Sequence, residues 1–106
     1  MAREGSDATL LVKTRQNFGE TYAEVRVRDV PSSDRYPDGV RYSMQYDRKG
    51  GETVFRYDNF PDHPGSATHH KHLADGTVAD VDFPGWKALF RRFKTEVNER
   101  EHGAWD

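Results

Sequence analysis

The chain has 106 residues, of which 34% are hydrophobic and 32% are charged, with a formal net charge of −2 and no cysteine. Because domains usually contain ~100–200 residues, this length predicts a single domain over residues 1–106. Without cysteine the chain has no disulfide framework, no zinc–thiolate centre and no cysteine nucleophile. A slightly negative net charge does not by itself favour nucleic-acid binding, so a nucleic-acid-binding surface would have to be a local basic patch.

Apolar residues occur in short runs. No run approaches the ~18–20 residues that a transmembrane helix needs, and residues 1–14 lack the apolar core of a signal peptide. We therefore expect a cytoplasmic protein that does not enter a membrane. Residues 1–8 are polar and lack periodicity, so we expect them to be disordered.

Aromatic residues make up much of the apolar content. The chain has two Trp, five Tyr and six Phe, but only four Leu and no Ile. Each buried aromatic side chain removes ~150–250 Å² from water. The composition therefore predicts a small core built on Tyr, Phe and Trp.

The first three quarters of the chain show strand patterns. The segment 9–14, TLLVKT, is apolar and β-prone, and residues 23–28 alternate between apolar and charged side chains. The alternation is clearest in residues 40–58, where a Gly-Gly turn predicts a β-hairpin. An Ala-Asp-Gly turn within residues 69–81 predicts a second hairpin.

The C-terminal segment has helical periodicity instead. Apolar residues recur at positions i, i+3, i+4, i+7 and i+11, namely Trp86, Leu89, Phe90, Phe93 and Val97. This spacing predicts a helix over 84–101, with Asp82 as its cap, Pro84 in its first turn and Gly103 at its end. Strands followed by one helix predict an α+β fold, in which a small antiparallel sheet of five to six strands, including two hairpins, packs against one C-terminal helix.

Histidines are concentrated in one part of the chain, where ten residues contain His63, His69, His70 and His72. Residues two apart on a strand share a face, so His70 and His72 would lie together, with Cβ atoms ~6–7 Å apart. His69 and Lys71 would point the other way. The separation suits two ligands of one metal ion, and equally a general base and a general acid on either side of a phosphate. Histidines in a polar hairpin can also be plain surface residues.

A polar and aromatic group precedes the histidines at the end of a predicted strand: Arg56, Tyr57, Asp58 and Asn59. Asp and Asn there can simply end the strand by bonding local backbone. Alternatively, Asp58 accepts a hydrogen bond from a histidine and fixes its tautomer. Arg56 would then bind a phosphate bidentately, while Tyr57 and Asn59 are candidate substrate-binding residues.

Basic residues of the predicted helix form a second candidate surface. Eight residues without an acid contain Lys87, Arg91, Arg92 and Lys94. Such a run is usually a solvated helix face, and otherwise an electrostatic footprint for RNA or an acidic partner. Arg91 and Arg92, with Lys71 from the histidine segment, are therefore candidate RNA-binding residues.

Three segments together resemble the TumE-like toxin family of prokaryotic toxin–antitoxin operons: RYSMQY at 41–46, VFRYDN at 54–59 and HKH at 70–72. In that family an aromatic-rich hairpin leads to a Tyr-Asp-Asn segment, a Gly-containing loop, a His-x-His and a C-terminal helix. The resemblance covers roughly residues 40–97 and leaves 1–39 outside. It implies a toxin that acts on RNA or the translation apparatus and has a helix-turn-helix antitoxin as its partner.

The candidate residues allow three functions. In a metal-independent ribonuclease without a cofactor, His70 and His72 would serve as acid and base, Arg56 would stabilise the phosphorane and Asp58 would orient an imidazole. In a metal enzyme, the two histidines and either Asp58 or His63 would hold Zn²⁺, Fe²⁺ or another divalent transition metal. In a non-enzymatic module, the same His/Tyr/Arg surface would bind a protein or RNA.

Overall fold

The computed structural model describes residues 9–61 and 68–106. Within them lie six strands and one helix: β1 (Thr9–Asn17), β2 (Thr21–Asp29), β3 (Val40–Arg48), β4 (Thr53–Asp58), β5 (His70–Leu73), β6 (Val78–Asp80) and α1 (Trp86–Glu101). The predicted α+β class, with one antiparallel sheet and one C-terminal helix, is confirmed. Residues 1–8 and His63 lie outside the described residues, so the predictions for them stay predictions.

Each strand pairs with the next one along the chain, in the order β1-β2-β3-β4-β5-β6, and every pair is antiparallel. The two predicted hairpins are β3–β4 and β5–β6, and β1–β2 forms a third. β1 continues to Asn17, three residues past the predicted segment, because its partner Tyr22 extends the ladder that far. Cross-strand pairing of this kind leaves little trace in the local sequence.

One face of the sheet carries the core, and the predicted dependence on aromatic residues is confirmed. Among the described residues, the buried hydrophobic set comprises Ala23, Val25, Val27, Val40, Tyr42, Met44, Tyr46, Phe55, Tyr57, Leu89, Phe93, Val97 and Trp105. Of the four leucines, Leu89 alone is buried, whereas Leu10, Leu11 and Leu73 are exposed. Tyrosine and phenylalanine therefore supply the volume that aliphatic residues fill in other small domains.

Helix α1 covers this aromatic face. The Phe93 ring lies 5.6 Å from the Phe55 ring and 6.3 Å from the Tyr57 ring, both in edge-to-face arrangements. Leu89 and Val97 are buried one turn before and one turn after Phe93. Among the described residues, no helix is long and apolar enough to cross a membrane.

The start of α1 differs from the prediction. The helix begins at Trp86 and not at residue 84, and within the described part of the chain no side chain caps it. Gly85 occupies the cap position with φ 108° and ψ 153°, a conformation that is essentially restricted to glycine. Pro84 therefore lies before the first turn. Asp82 lies too far before Trp86 in the sequence to cap the helix. At the other end the Gly103 N–H donates to the Asn98 carbonyl at 3.0 Å, one residue after the left-handed His102.

Gly85→Ala should destabilise the protein by about 1–3 kcal/mol, because a Cβ strains the backbone at this φ although it would meet open space within the described residues. Chemical denaturation measures the free energy of unfolding. Gly50→Ala is the matched control, since Gly50 also has open space around it but lies outside the positive-φ glycines. Equal stabilities for the two variants would contradict the strained cap.

Candidate functional site

The candidate site lies where β4 pairs with β5. In this pair Asp58 is opposite His70, and Arg56 is opposite His72. Side chains alternate along a strand, so these four point to the face of the sheet that is opposite α1. The prediction that His70 and His72 share a face is confirmed, because both rings contact one carboxylate.

The Asp58 carboxylate is the centre of this group. Its Oδ2 atom accepts a hydrogen bond from Arg56 Nε at 2.7 Å and lies 3.2 Å from His72 Nε2. Its Oδ1 atom lies 3.4 Å from His70 Nδ1 and accepts from the Phe60 N–H at 3.3 Å. We call Arg56, Asp58, His70 and His72 the Asp58 cluster.

The Asp58 cluster has an inner and an outer layer. The side chains of Asp58 and His70 are 1% and 2% exposed, whereas those of His72 and Arg56 are 19% and 31% exposed. A buried carboxylate must be paired to be stable, and here it is paired with the outer residues. A molecule from solvent therefore reaches His72 and Arg56 first.

The local environment shifts the protonation of His72. Burial lowers the pKa of His72 below its ordinary value of 6.5, and the charges of Arg56 and His70 lower it further, while Asp58 acts in the opposite direction. The ring is therefore mainly neutral at pH 7. A neutral imidazole can accept a proton or bind a metal ion.

The same geometry fits a metal ion in one respect and opposes it in another. One ligand atom from each of Asp58, His70 and His72 can be chosen so that all three lie within 4.8 Å of one another. Two imidazoles and a carboxylate are a donor set that divalent transition metals accept. However, the Arg56 guanidinium at 2.7 Å from the same carboxylate already supplies a positive charge. The fourth candidate ligand, His63, lies outside the described residues.

Two of the predicted substrate contacts face α1 instead of the cluster. The Tyr57 hydroxyl donates to Glu96 Oε1 at 2.6 Å, and Lys71 Nζ donates to Glu96 Oε2 at 3.0 Å. Burial, followed by the hydrogen bond to Glu96, raises the pKa of Tyr57 above its usual value. Both side chains connect the helix to the sheet. Side chains alternate between the two faces along β4 and β5, and this alternation in the sequence already indicates that Tyr57 and Lys71 point away from Asp58.

The other predicted contacts also lie apart from the cluster. Arg91 and Arg92 are exposed on α1, across the sheet from Asp58. Asn59 is buried, and its side chain bonds the backbone of β3: Oδ1 accepts from the Tyr42 N–H at 3.0 Å, and Nδ2 donates to the Val40 carbonyl at 2.8 Å. Asn59 thus fixes the end of β4 against β3, which is a structural use of the side chain.

His69 has a separate environment on the helix side of the sheet, as its position in the alternation predicts. Its ring stacks on Phe83 with centroids 4.1 Å apart. Its Nδ1 atom lies 2.9 Å from the Tyr42 hydroxyl and its Nε2 atom lies 2.7 Å from Asp38 Oδ2. Those contacts anchor the loop before β3 to the sheet, and Asp38 is a partner that sequence reasoning missed.

Sequence reasoning also missed a basic groove beside the cluster. The groove has a volume of about 460 Å³ and is lined by Glu24, Arg26, Arg28, Arg41, Tyr42, Ser43, Gln45 and Phe60. We call it the arginine groove. The available signal was the alternation of β2, in which Arg26 and Arg28 follow the buried Val25 and Val27 in turn.

Comparison with known proteins identifies the family. A sequence model of the family described as toxin TumE matches residues 4–101. No curated protein and no solved structure matches the chain. The match extends beyond residues 40–97 and includes β1 and β2, so the expectation that residues 1–39 lie outside the resemblance is wrong from residue 4 onward. The chain therefore belongs to the toxin TumE family and is the toxin component of a toxin–antitoxin system.

Proposed function

We propose that this toxin cleaves RNA at the Asp58 cluster without a metal ion. The observation that carries the proposal is that one buried carboxylate holds a neutral imidazole and a guanidinium side by side at the surface, at 3.2 and 2.7 Å. The imidazole can take a proton at neutral pH, and the guanidinium can bind a phosphate through two parallel hydrogen bonds. They supply the base and the charge stabilisation that phosphodiester transesterification uses.

His72 accepts the proton in the proposed reaction. Because its Nε2 atom faces Asp58, the neutral ring donates from Nε2 and carries its basic lone pair on Nδ1. The ring removes the proton from a ribose 2′-OH, and the 2′ oxygen attacks the adjacent phosphorus. The bond from phosphorus to the 5′ oxygen breaks, and that oxygen takes a proton from water. The hydroxide left behind takes the proton from His72, which restores the neutral ring. The products are a 2′,3′-cyclic phosphate and a 5′-hydroxyl end.

Arg56 stabilises the charge that gathers on the phosphate oxygens during this step. Its guanidinium is held by its Nε bond to Asp58, and the side chain is 31% exposed, so a substrate phosphate can approach it from solvent. A donor that is already oriented costs no reorganisation when the charge develops. His70 is too buried to contact RNA, so we assign it the positioning of the Asp58 carboxylate instead of the second acid–base role.

The cleavage rate should fall to half its maximum at a pH below 6.5 and decline further as the pH is lowered. Neutral His72 is the active form, and its pKa lies below 6.5 in the folded protein. Because the unfolded chain binds this proton at higher pH, the free energy of unfolding should also fall as the pH drops below 6.5. NMR titration of the ring checks the midpoint, which should rise in Arg56→Gln because a neighbouring positive charge is removed. A midpoint above 6.5 in the native protein would contradict this assignment.

A metal-dependent enzyme is the second candidate, and the spacing of the ligand atoms of Asp58, His70 and His72 favours it. Those residues would be the ligands, and a bound divalent metal would supply a Lewis acid beside Arg56. Elemental analysis of protein purified without a histidine tag separates the two candidates. A stoichiometry near one metal per chain would favour the metal enzyme, and one far below it would favour the proposal above.

The direct test of the proposed function is incubation of purified, untagged protein with single-stranded RNA in excess EDTA. We expect cleavage at an undiminished rate. Loss of cleavage that a transition metal restores would point to the metal enzyme. If RNA stays intact with and without metal while expression of the protein still arrests growth, the cluster is a binding surface and the toxin is not a ribonuclease.

The antitoxin partner follows from the family, and its helix-turn-helix type is a further proposal supported by the resemblance of residues 40–97. Co-purification of the toxin with the product of the adjacent gene tests it. The neighbouring protein should bind the toxin and carry a helix-turn-helix segment.

A further inference from the structure

We propose that the arginine groove binds the phosphate backbone of single-stranded RNA and leads it to the Asp58 cluster. This proposal rests on the proposed function, because it names the substrate class and the path by which that substrate reaches His72. It places RNA on the sheet face opposite α1, whereas the basic run in the sequence favours the helix.

The register of the sheet puts the groove directly beside the cluster. Ser43, which lines the groove, pairs with Asp58, and Gln45, which also lines it, pairs with Arg56. On the other side the same two residues pair with Arg26 and Glu24 of β2. Neighbouring strands lie about 4.8 Å apart, so roughly 10 Å separates β2 from the cluster residues on β4. A single strand of RNA lying across β2 and β3 therefore reaches Arg56 and His72 directly.

The charge of the groove fits a polyanion. Arg26, Arg28 and Arg41 are exposed, and Arg28 lies opposite Arg41 in the β2–β3 ladder. Like charges placed directly opposite destabilise a sheet unless an anion lies between them. Glu24 is the acid of the groove, and it contacts Arg26 at 3.5 Å. The groove thus has an excess of positive charge in a chain whose formal net charge is −2.

Basic residues continue the groove across the edge strand. Lys13 is opposite Arg26, and Arg15 is opposite Glu24, so both extend the same face. Arg15 lies 3.9 Å above the Tyr22 ring. A row of cations across three strands matches a backbone with one charge per nucleotide.

Phe60 gives the groove an aromatic surface as well. Phe60 is a half-buried residue, and the Arg41 guanidinium lies 5.0 Å from its ring centroid. An aromatic ring and a guanidinium plane are the surfaces on which unpaired bases stack. This combination favours single-stranded RNA over an acidic protein. An acidic protein would use the positive charge of the groove but has no bases to stack on the Phe60 ring.

The basic run on α1 is less well placed for this substrate. Arg91 and Arg92 lie across the sheet from Asp58, and Arg92 is 5.6 Å from the Tyr57 ring. Lys71 is paired with Glu96 at 3.0 Å. A phosphate bound by these residues would be separated from His72 by the thickness of the sheet.

The test measures binding of a fluorescent single-stranded RNA to full-length protein carrying His72→Ala, so that the RNA stays intact. Adding Arg28→Gln and Arg41→Gln should weaken binding by roughly tenfold or more and lower the slope of log K against log salt by about 1.4. The matched control adds Arg91→Gln and Arg92→Gln and should leave both quantities unchanged. Exposed substitutions of this kind have little effect on stability, and thermal unfolding checks that each variant is folded.

Three outcomes decide the proposal. Loss of RNA affinity in the groove variant, with unchanged affinity in the control variant, supports the proposal. If the native protein also fails to cleave RNA, the proposed function fails but the RNA-binding surface stands. Unchanged affinity in the groove variant, with cleavage by the native protein intact, overturns the groove and keeps the proposed function. Unchanged RNA affinity together with lost binding of the antitoxin also overturns it, since the groove would then be a protein contact.

Discussion

His72→Ala should lower the rate of RNA cleavage by about 10²–10⁴-fold, because the variant lacks the group that accepts the 2′-OH proton. Initial rates with purified protein and single-stranded RNA measure the effect. Since the His72 side chain is 19% exposed, the variant should remain folded. His102→Ala is the matched control, because His102 is exposed beyond the end of α1 and should leave the rate unchanged.

Arg56→Ala should reduce cleavage to a similar degree through the loss of charge stabilisation. Arg56→Lys should restore only part of the rate, since lysine lacks the planar pair of donors that a phosphate accepts. The matched control is Arg91→Ala on the opposite side of the sheet. Native rates in both His72→Ala and Arg56→Ala would show that the Asp58 cluster does not carry the reaction.

Asp58→Asn should cost about 3 kcal/mol of folding free energy. Breaking a fully buried ion pair typically costs ~3–5 kcal/mol, and the lower end applies here because Arg56 is 31% exposed and regains water. The amide would also present donors to Arg56 and His72 where the carboxylate accepts hydrogen bonds. Urea denaturation measures the change, with Asp82→Asn at an exposed site as the control.

The size of this effect relative to single partners distinguishes a central carboxylate from an ordinary pair. Arg56→Gln removes one partner and leaves Asp58 with both histidines, so it should cost less than Asp58→Asn. The same holds for His72→Gln. If Asp58→Asn were no more destabilising than either partner variant, the carboxylate would not be the centre of the cluster.

Much of the fold was predictable because short-range periodicity determines which side chains share a face. Tyr42, Met44 and Tyr46 lie two residues apart in the alternating segment that forms β3 and are all buried, and the spacing of Leu89, Phe93 and Val97 matches the buried side of α1. The same rule placed His70 and His72 together. Periodicity shows which residues of one strand or helix share a face. It does not show which residues of the next strand or loop they contact.

A hydrogen bond from a histidine to Asp58 is among the predicted alternatives, but the full set of contacts in the site depends on register between strands. Nothing in residues 54–59 alone shows that Arg56 lies opposite His72, or that Asp58 contacts both histidines. The adjacency of Tyr57 and Asp58 in the sequence predicts a shared site. Along a strand, neighbours point to opposite faces, and Tyr57 binds Glu96 on the helix side.

The arginine groove and the helix start were missed for two different physical reasons. Charged residues between core positions normally indicate a solvated face, and the groove follows only from the register that places Arg28 of β2 opposite Arg41 of β3. The helix start depends on backbone dihedral angles. Gly85 adopts its cap conformation because it lacks a Cβ, whereas Asp82 and Pro84 only match a statistical preference.

The most direct test of the central claim is the chemistry of the RNA ends that the protein produces. Native toxin incubated with single-stranded RNA in excess EDTA should generate 2′,3′-cyclic phosphate ends, and His72→Ala should generate almost none under the same conditions. Absence of such ends with the native protein, or equal amounts with His72→Ala, would contradict the assignment of His72 as the proton acceptor held by Asp58.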